Sequence, residues 1–325
     1  MRALCWSVGL IAAAIAAPLH AQTRTTVLDA VSQPQPVDSA SQAQDHGIKR
    51  DANDRMTVAV RLSGSGPYRF LVDTGADRTA VSTELAARLG LAEGMAAKLH
   101  SVTGISDVRT ALIPRLQLNK AEFRIIDAPL LSGPNMGADG ILGIDSLRAQ
   151  RLLFDFTANT MTIVPAKDKV VVEQEGTIVV RARARNGRLV LTSAVADGRP
   201  LQVVLDTGSE VSIGNHALRR RLMGGKQLRR NGKVVIESVT GETMVGDYMF
   251  LDKLEIGGIT LENLAIVFAD AQTFRTLGLG ERPALLLGMN AMRAFDKVSI
   301  DFANKKLRVM LPQRSGNRET VFAQR

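Results

Sequence analysis

Five segments of this 325-residue chain occur twice, in the same order, at a spacing that only grows along the sequence. FLVDTGADRTAVS at 70–82 matches VVLDTGSEVSIG at 203–214, placing Asp73 and Asp206 133 residues apart. SVTG recurs at 101 and 238, an offset of 137, and RLQLNKAEF at 115 matches KLEIGGITL at 253, an offset of 138. GILGIDSLRA at 140 answers LLLGMNAMRA at 285, with Gly143 and Gly288 145 apart, and LFDFTANTMTIV at 153 answers SIDFANKKLRVM at 299, with Asp155 and Asp301 146 apart. A steadily growing offset is the trace of a duplication followed by insertions in the second copy, whereas chance similarity would scatter it. The chain therefore reads as two related lobes at 56–165 and 176–312, joined by a charged linker at 166–175 and followed by a loose polar tail at 313–325.

From Met56 onward, short runs of Val, Leu, Ile and Phe alternate with Gly, Asn and Asp, the texture of hairpins in a mainly β fold. Thr57 to Asp73 reads as two strands around a Gly64–Pro67 turn. Asn186-Gly187 and Asp197-Gly198 mark two more hairpins, because both central residues of such turns must accept positive φ. Helices are few. One is expected at Thr83–Leu89, capped by Ser82 and stopped by Gly90, and its counterpart at His216–Leu222, capped by Asn215. A further pair is expected after the later glycines, with Asp145 and Asn290 as N-caps.

Arg2, the apolar run Ala3 to Leu19 and the small residue Ala21 have the form of a secretory signal peptide over 1–21. Left uncleaved, that run would tether the chain to an inner membrane. Residues 22–55 are rich in Gln, Ser, Asp, Ala and Thr and read as a flexible leader, either a spacer or a propeptide. The location expected is therefore periplasmic or secreted. Cys5, inside the first segment, is the only cysteine. The exported chain would lack disulfides, thiolate catalysis and cysteine zinc sites, leaving carboxylates, hydroxyls and histidines to carry chemistry. His46, His100 and His216 show no paired ligand spacing, so neither a metal nor a cofactor is expected. The net charge is +9, densest at Arg219–Arg221 and Arg229–Arg230, but aromatics are only 4% of residues and none interleaves with the arginines. A solvated basic face fits this pattern, and nucleic acid is not an expected partner.

In each copy an apolar strand runs straight into Asp-Thr-Gly, so a carboxylate stands where a buried strand ends and a glycine, Gly75 or Gly208, lets the chain turn sharply. One such triplet could be an Asx turn. Two in aligned copies imply a pseudo-twofold axis on which the loops meet and the carboxylates come together. Two like charges that close cannot both ionise, so one proton is shared and the pair becomes acid and base at once.

The phrase DTGADRTAV at 73–81, with ILGID at 141–145 and LLGMN at 286–290, resembles the active-site loop and second signature of the retropepsin-like aspartic proteases. Bacterial periplasmic aspartyl proteases are similar. The resemblance spans nearly all of the chain after the leader and implies two fused lobes of near-viral size, active as a monomer that is its own pseudo-dimer. It implies Asp73 and Asp206 as the catalytic pair, Thr74 and Thr207 interlocked beneath them, and Gly143 and Gly288 packed under the loops. It also implies a hairpin flap in the interval where Thr103, Gly104, Thr240 and Gly241 fall, though an ordinary hairpin turn fits those residues equally. The activity implied is endopeptidase cleavage of protein or peptide substrates in the cell envelope or periplasm. The other reading is a module of the same fold that binds peptides or envelope polymers without turnover. Three departures stand out. Ile144 and Met289 occupy the place of the viral arginine, so Asp77 needs another partner or solvent. Glu210 replaces a small or hydroxyl residue, and neither half carries a flap tyrosine.

Overall fold

The computed structural model describes residues 46–47, 49–50, 56–118, 121–168, 176–224 and 230–312. The expected signal peptide, most of the leader, the greater part of the linker, the tail, and the side chains of Arg229 and Arg230 lie outside the described residues. The fold is mainly β, with two tandem lobes of one topology.

In the first lobe, strand Gly140–Leu142 lies parallel to Ser65–Val72 and antiparallel to Ala80–Ser82. In the second, Ala284–Leu287 lies parallel to Arg199–Leu205 and antiparallel to Ser212–Gly214. These central strands are short and buried on both faces, which is why they read as unbroken apolar runs rather than as alternation. Outside them the order repeats, with the long hairpin Thr110–Leu118 and Ala121–Leu131 answered by Thr243–Ile256 and Ile259–Phe268.

Local chemistry sets most turns where expected. Asn186-Gly187 and Asp197-Gly198 both adopt positive φ in two-residue loops. The first hairpin departs from expectation: its loop is Ser63-Gly64, both at positive φ, and Gly66 and Pro67 belong to the following strand. The short helices Thr83–Arg88 and His216–Met223 are capped as expected, with Ser82 Oγ accepting from Leu85 N at 3.0 Å and Asn215 Oδ1 accepting from Leu218 N at 2.8 Å. Asp145 and Asn290 are not N-caps. Gly143 and Gly288 take that position with extended backbone, the helices start at Ile144 and Met289, and the two polar side chains turn instead to Thr79 and Ser212.

A six-stranded sheet belongs to both halves, in the order His46–Gly47, Thr160–Pro165, Gln150–Asp155, Lys297–Asp301, Lys306–Met310, Thr177–Arg181. Its middle seam pairs Arg151 with Asp301 and Leu153 with Ser299, so backbone hydrogen bonds cross from one copy to the other. The end of the expected leader enters the fold, since His46–Gly47 pairs with Thr160–Pro165 and Lys49–Arg50 with Met56–Leu62. Edge pairing needs only backbone donors and acceptors, so a polar segment can join without any apolar pattern. The main apolar cluster likewise runs through both halves, taking in Phe154 and Phe156 as well as Phe295 and Phe302.

Candidate active site

Both Asp-Thr-Gly loops hang from the central strands by matching bonds. Asp73 N donates to Leu142 O and Asp206 N to Leu287 O, each at 3.1 Å. Ile144 N donates to Ala76 O and Met289 N to Ser209 O, each at 2.9 Å. Thr79 N and Oγ1 donate to Asp145 Oδ1 at 2.9 and 2.7 Å, and Ser212 N and Oγ donate to Asn290 Oδ1 at 3.0 and 2.8 Å. Asp145 and Asn290 thus tie each loop to the short helix behind it. Gly143 and Gly288 pack flush under the loops: a Cβ on Gly143 would lie 2.5 Å from Arg78 C, and one on Gly288 2.7 Å from Val211 C.

The two loops meet back to back through their threonines. Thr74 Oγ1 donates to Leu205 O at 2.9 Å and accepts from Thr207 N at 3.0 Å, while Thr207 Oγ1 donates to Val72 O at 2.7 Å and accepts from Thr74 N at 3.1 Å. Both threonines are buried, so each hydroxyl is fully used and neither could be lost without orphaning backbone groups.

The glycines explain why the motif demands glycine. A Cβ on Gly75 would sit 2.5 Å from Asp206 Oδ1, and one on Gly208 would collide with the Asp73 carboxyl group. Each loop therefore leaves room for the opposite copy's carboxylate, and the two acids converge across the pseudo-twofold axis. Asp73 Oδ1 accepts from Gly75 N at 2.7 Å and Ala76 N at 3.0 Å, and Asp206 Oδ1 accepts from Gly208 N at 3.1 Å. Asp206 is almost wholly buried, with 4% of its surface exposed. Burial, followed by the negative charge of Asp73, pushes its carboxyl up to about 7, against the opposing pull of Arg188 and the N–H groups of Gly208 and Ser209. A buried acid beside a second acid holds its proton up to neutral pH.

Asp77 has a partner after all. Arg188, buried at the start of strand Arg188–Ala196 in the second half, reaches across to set Nη1 2.6 Å from Asp77 Oδ1. Its Nε donates to Gly75 O at 3.0 Å and its Nη2 donates to the same oxygen. Glu210, at Asp77's place in the second copy, is gripped by both terminal nitrogens of Arg293, Nη1 to Oε1 and Nη2 to Oε2. Ile144 and Met289 are buried in the main apolar cluster.

Both SVTG segments form hairpin tips. The first joins Ala97–His100 to Ile105–Val108, with Ser101 N donating to Gly104 O at 2.9 Å; the second joins Arg230–Glu237 to Thr243–Ile256, with Ser238 N donating to Glu242 O at 2.8 Å. Thr103 and Gly104 lie on one tip, Thr240 and Gly241 on the other. The tips touch, since Thr103 Oγ1 donates to Glu242 Oε2 at 2.7 Å. Among the described residues no three His, Cys, Asp or Glu side chains gather as a metal site, and no helix is long and apolar enough to cross a membrane.

Arg188, Arg293 and Glu242 are the residues that motif reading passes over. The first two left a trace, because Arg188-Leu189 repeats Arg55-Met56 at the Asp-Thr-Gly offset and Arg293 repeats Arg148. Glu242 left none, since Ile105 stands in the matching place.

Two family models match, one in each half: gag-polyprotein aspartyl protease over residues 58–149 and aspartyl protease over residues 192–291. No curated protein matches the chain.

Proposed function

We propose, from the premise that this chain belongs to the retropepsin-like aspartic protease family, that it is an endopeptidase in which Asp73 and Asp206 activate water for peptide hydrolysis. The observation that carries the reading is the reciprocal seating of each carboxylate against the other loop's glycine. Asp206, pushed up to about 7, holds the shared proton. Asp73, with two backbone N–H groups on Oδ1, is suited to carry the charge.

A water between the two carboxyls loses a proton to Asp73 as its oxygen attacks the peptide carbonyl carbon, and Asp206 donates its proton to the carbonyl oxygen. A neutral gem-diol results. Its collapse breaks the C–N bond, with the proton on Asp73 passing to the departing nitrogen and a hydroxyl proton returning to Asp206. No covalent enzyme intermediate forms and no metal is needed. Hydrolysis is therefore expected from acid to neutral pH and should fade as pH rises through about 7, where the second carboxyl ionises.

The hairpins carrying Thr103, Gly104, Thr240 and Gly241 are read as flaps over this pair, and envelope or periplasmic proteins as the substrates, on the strength of residues 1–21 as an export signal. One chain supplies both half-sites, so activity should rise in proportion to enzyme concentration. Asp73→Asn and Asp206→Asn, assayed on a mixed peptide library with and without pepstatin, test the reading. Each should lose roughly a thousandfold or more of the cleavage rate while keeping its fold. Turnover unchanged by either substitution would remove the pair from the mechanism.

A further inference from the structure

The two hairpin tips do more than touch, because each is anchored in the opposite half of the molecule. Val102, on the first tip, packs against the second half's apolar cluster of Ala271, Phe274, Leu279 and their neighbours, and its carbonyl accepts from Gln272 N at 3.0 Å. Val239, on the second tip, packs against the first half's cluster around Leu71, Met136 and Ile141, which also takes in Ala76 just past the Asp73 loop. A Cβ on Gly241 would lie 2.5 Å from Asn135 Nδ2, so that tip rests closely on the first half.

These apolar anchors come in a matched pair, Val102 for Val239. The polar tie between the tips does not. Glu242 Oε2 accepts from Thr103 Oγ1 at 2.7 Å and Oε1 accepts from Ser106 Oγ at 2.9 Å, so one carboxylate of the second hairpin holds two hydroxyls of the first. Its counterpart in the repeat is Ile105, half exposed and unable to accept a hydrogen bond. Hydrogen bonds from Thr103 and Ser106 hold the Glu242 carboxyl below its ordinary range, and Thr240 adds a smaller pull in the same direction. The carboxylate is therefore ionised from its ordinary value of 4.5 upward, a window in which Asp206 still keeps its proton as far as about 7.

We infer that Glu242 is a positioning residue, a one-sided latch that holds the first hairpin closed against the second and must let go each time a peptide enters or leaves the cleft. The inference rests on the flap reading above, but the latch is a property of the hairpins and can be measured without turnover. Water competes for charge-assisted hydrogen bonds at an exposed carboxylate, so removing this pair should shift a two-state equilibrium by roughly 2- to 10-fold. Losing the latch should open the tips by that ratio while leaving the carboxyl pair itself untouched.

Spin labels on Asp107→Cys and Val235→Cys in a Cys5→Ser background report the separation of the two hairpins by pulsed electron resonance. The labelled protein should show one dominant distance. Glu242→Ala should add a longer population, and Thr103→Val with Ser106→Ala should reproduce it from the other side of the latch. Adding Glu242→Ala to that pair should change nothing further, while Glu242→Gln, which keeps one accepting oxygen, should fall between. On a cleaved peptide, Glu242→Ala should raise KM severalfold with kcat and the pH profile little changed, a split that general loosening of the fold would not produce. One unaltered distance in Glu242→Ala, or in the hydroxyl pair should that variant fail to fold, overturns the latch. Distances that respond in a chain that cleaves no peptide would keep the latch and discard the peptidase.

Discussion

The two Asp-Thr-Gly loops are copies, yet the guanidinium groups that brace them come from different places. Arg188 reaches the first loop from the other half of the molecule, is buried, and holds both Asp77 and Gly75 O. Arg293 reaches the second loop from its own half and holds Glu210, whose side chain is 41% exposed. The bonds that bring the carboxylates together match almost one for one: the threonine interlock, the strand contacts at Leu142 and Leu287, and the Asp145 and Asn290 ties. Symmetry has been kept where two loops must meet and lost one residue further out. A homodimer cannot do this, because a single gene would have to serve both copies. A fused chain can vary each brace alone, and the one-sided latch at Glu242 follows the same logic.

The same divergence recurs in the shared sheet, where the largest effect is expected. Asp155 and Asp301 head equivalent turns, accepting from Ala158 N at 2.8 Å and Asn304 N at 2.9 Å respectively. Asp155 is paired with a half-exposed Lys297, whereas Asp301 is fully buried against Arg151 at 3.0 Å, and Arg151 also donates to Ala166 O and Asp168 O. Arg151→Ala leaves the buried Asp301 carboxylate with Asn304 and the more distant Arg308, at 3.7 Å, and should lower unfolding free energy by about 3 kcal/mol or more in urea titrations. Lys297→Ala should lower it by less than about 1 kcal/mol. Burial raises the Asp301 carboxyl, but the hydrogen bonds from Asn304 and Arg151 outweigh it and leave the group below its ordinary value of 3.8. The stability it lends is therefore present above that value and lost as pH falls through the lower folded one. In Asp301→Asn the acid limb of the stability curve should be shallower. Equal losses for Arg151→Ala and Lys297→Ala would mean that burial does not distinguish the two copies.

The braces come next. Arg188→Ala should destabilise by about 2–3 kcal/mol, since it orphans Gly75 O at a buried crossing between the halves. Arg293→Ala should cost about 1 kcal/mol or less, because Glu210 can turn to water. Arg188 also pulls the Asp206 carboxyl down, so its removal should carry that titration, and with it the alkaline edge of the proposed peptidase activity, to higher pH. Arg293→Ala should leave both in place. Carboxyl carbon NMR titration of the two variants separates these outcomes, and an alkaline edge that moves in neither would show that Arg188 braces the loop without touching its acidity.

Most of this frame was legible in the chain. The steadily growing offset, 133 at the Asp-Thr-Gly segments and 145 at the glycines of the second signature, fixed which residues answer one another, because a duplicated backbone keeps its hydrogen-bond pattern. The gag-like and aspartyl protease matches, one in each half, agree with the tandem lobes read from that offset. What escaped notice depends on side chains or backbones meeting over long separations. Arg188 is 113 residues from Gly75, and the chain does not announce which acid a distant arginine will meet. The shared sheet is stitched by backbone groups that every residue carries. Asp145 and Asn290 misled for a local reason: a short polar residue after glycine has the form of an N-cap, but extended glycine takes the cap and frees the side chain to hold the loop.

The smallest effect asked of the comparison concerns the acids themselves, which are identical in sequence and unequal in setting. Asp73 is half-buried and Asp206 nearly closed off, and burial is the main cause that penalises ionisation of Asp206. Its folded value, about 7, lies above the ordinary 3.8, so the folded state binds more protons across that window. The stability this contributes is full below the ordinary value and is lost as pH rises through about 7. Asp206→Asn cannot ionise and escapes that loss, at the expense of a weaker bond from Gly208 N, so its unfolding free energy should exceed that of wild type at pH 8 by on the order of 1 kcal/mol and by little at pH 4. Asp73→Asn removes the neighbouring charge that lifts Asp206 but leaves its burial, so Asp206 should then titrate below its wild-type position yet above a free carboxylate. If Asp206 keeps its wild-type titration in Asp73→Asn, burial alone sets its acidity, and the convergence of the two loops does not couple their charges.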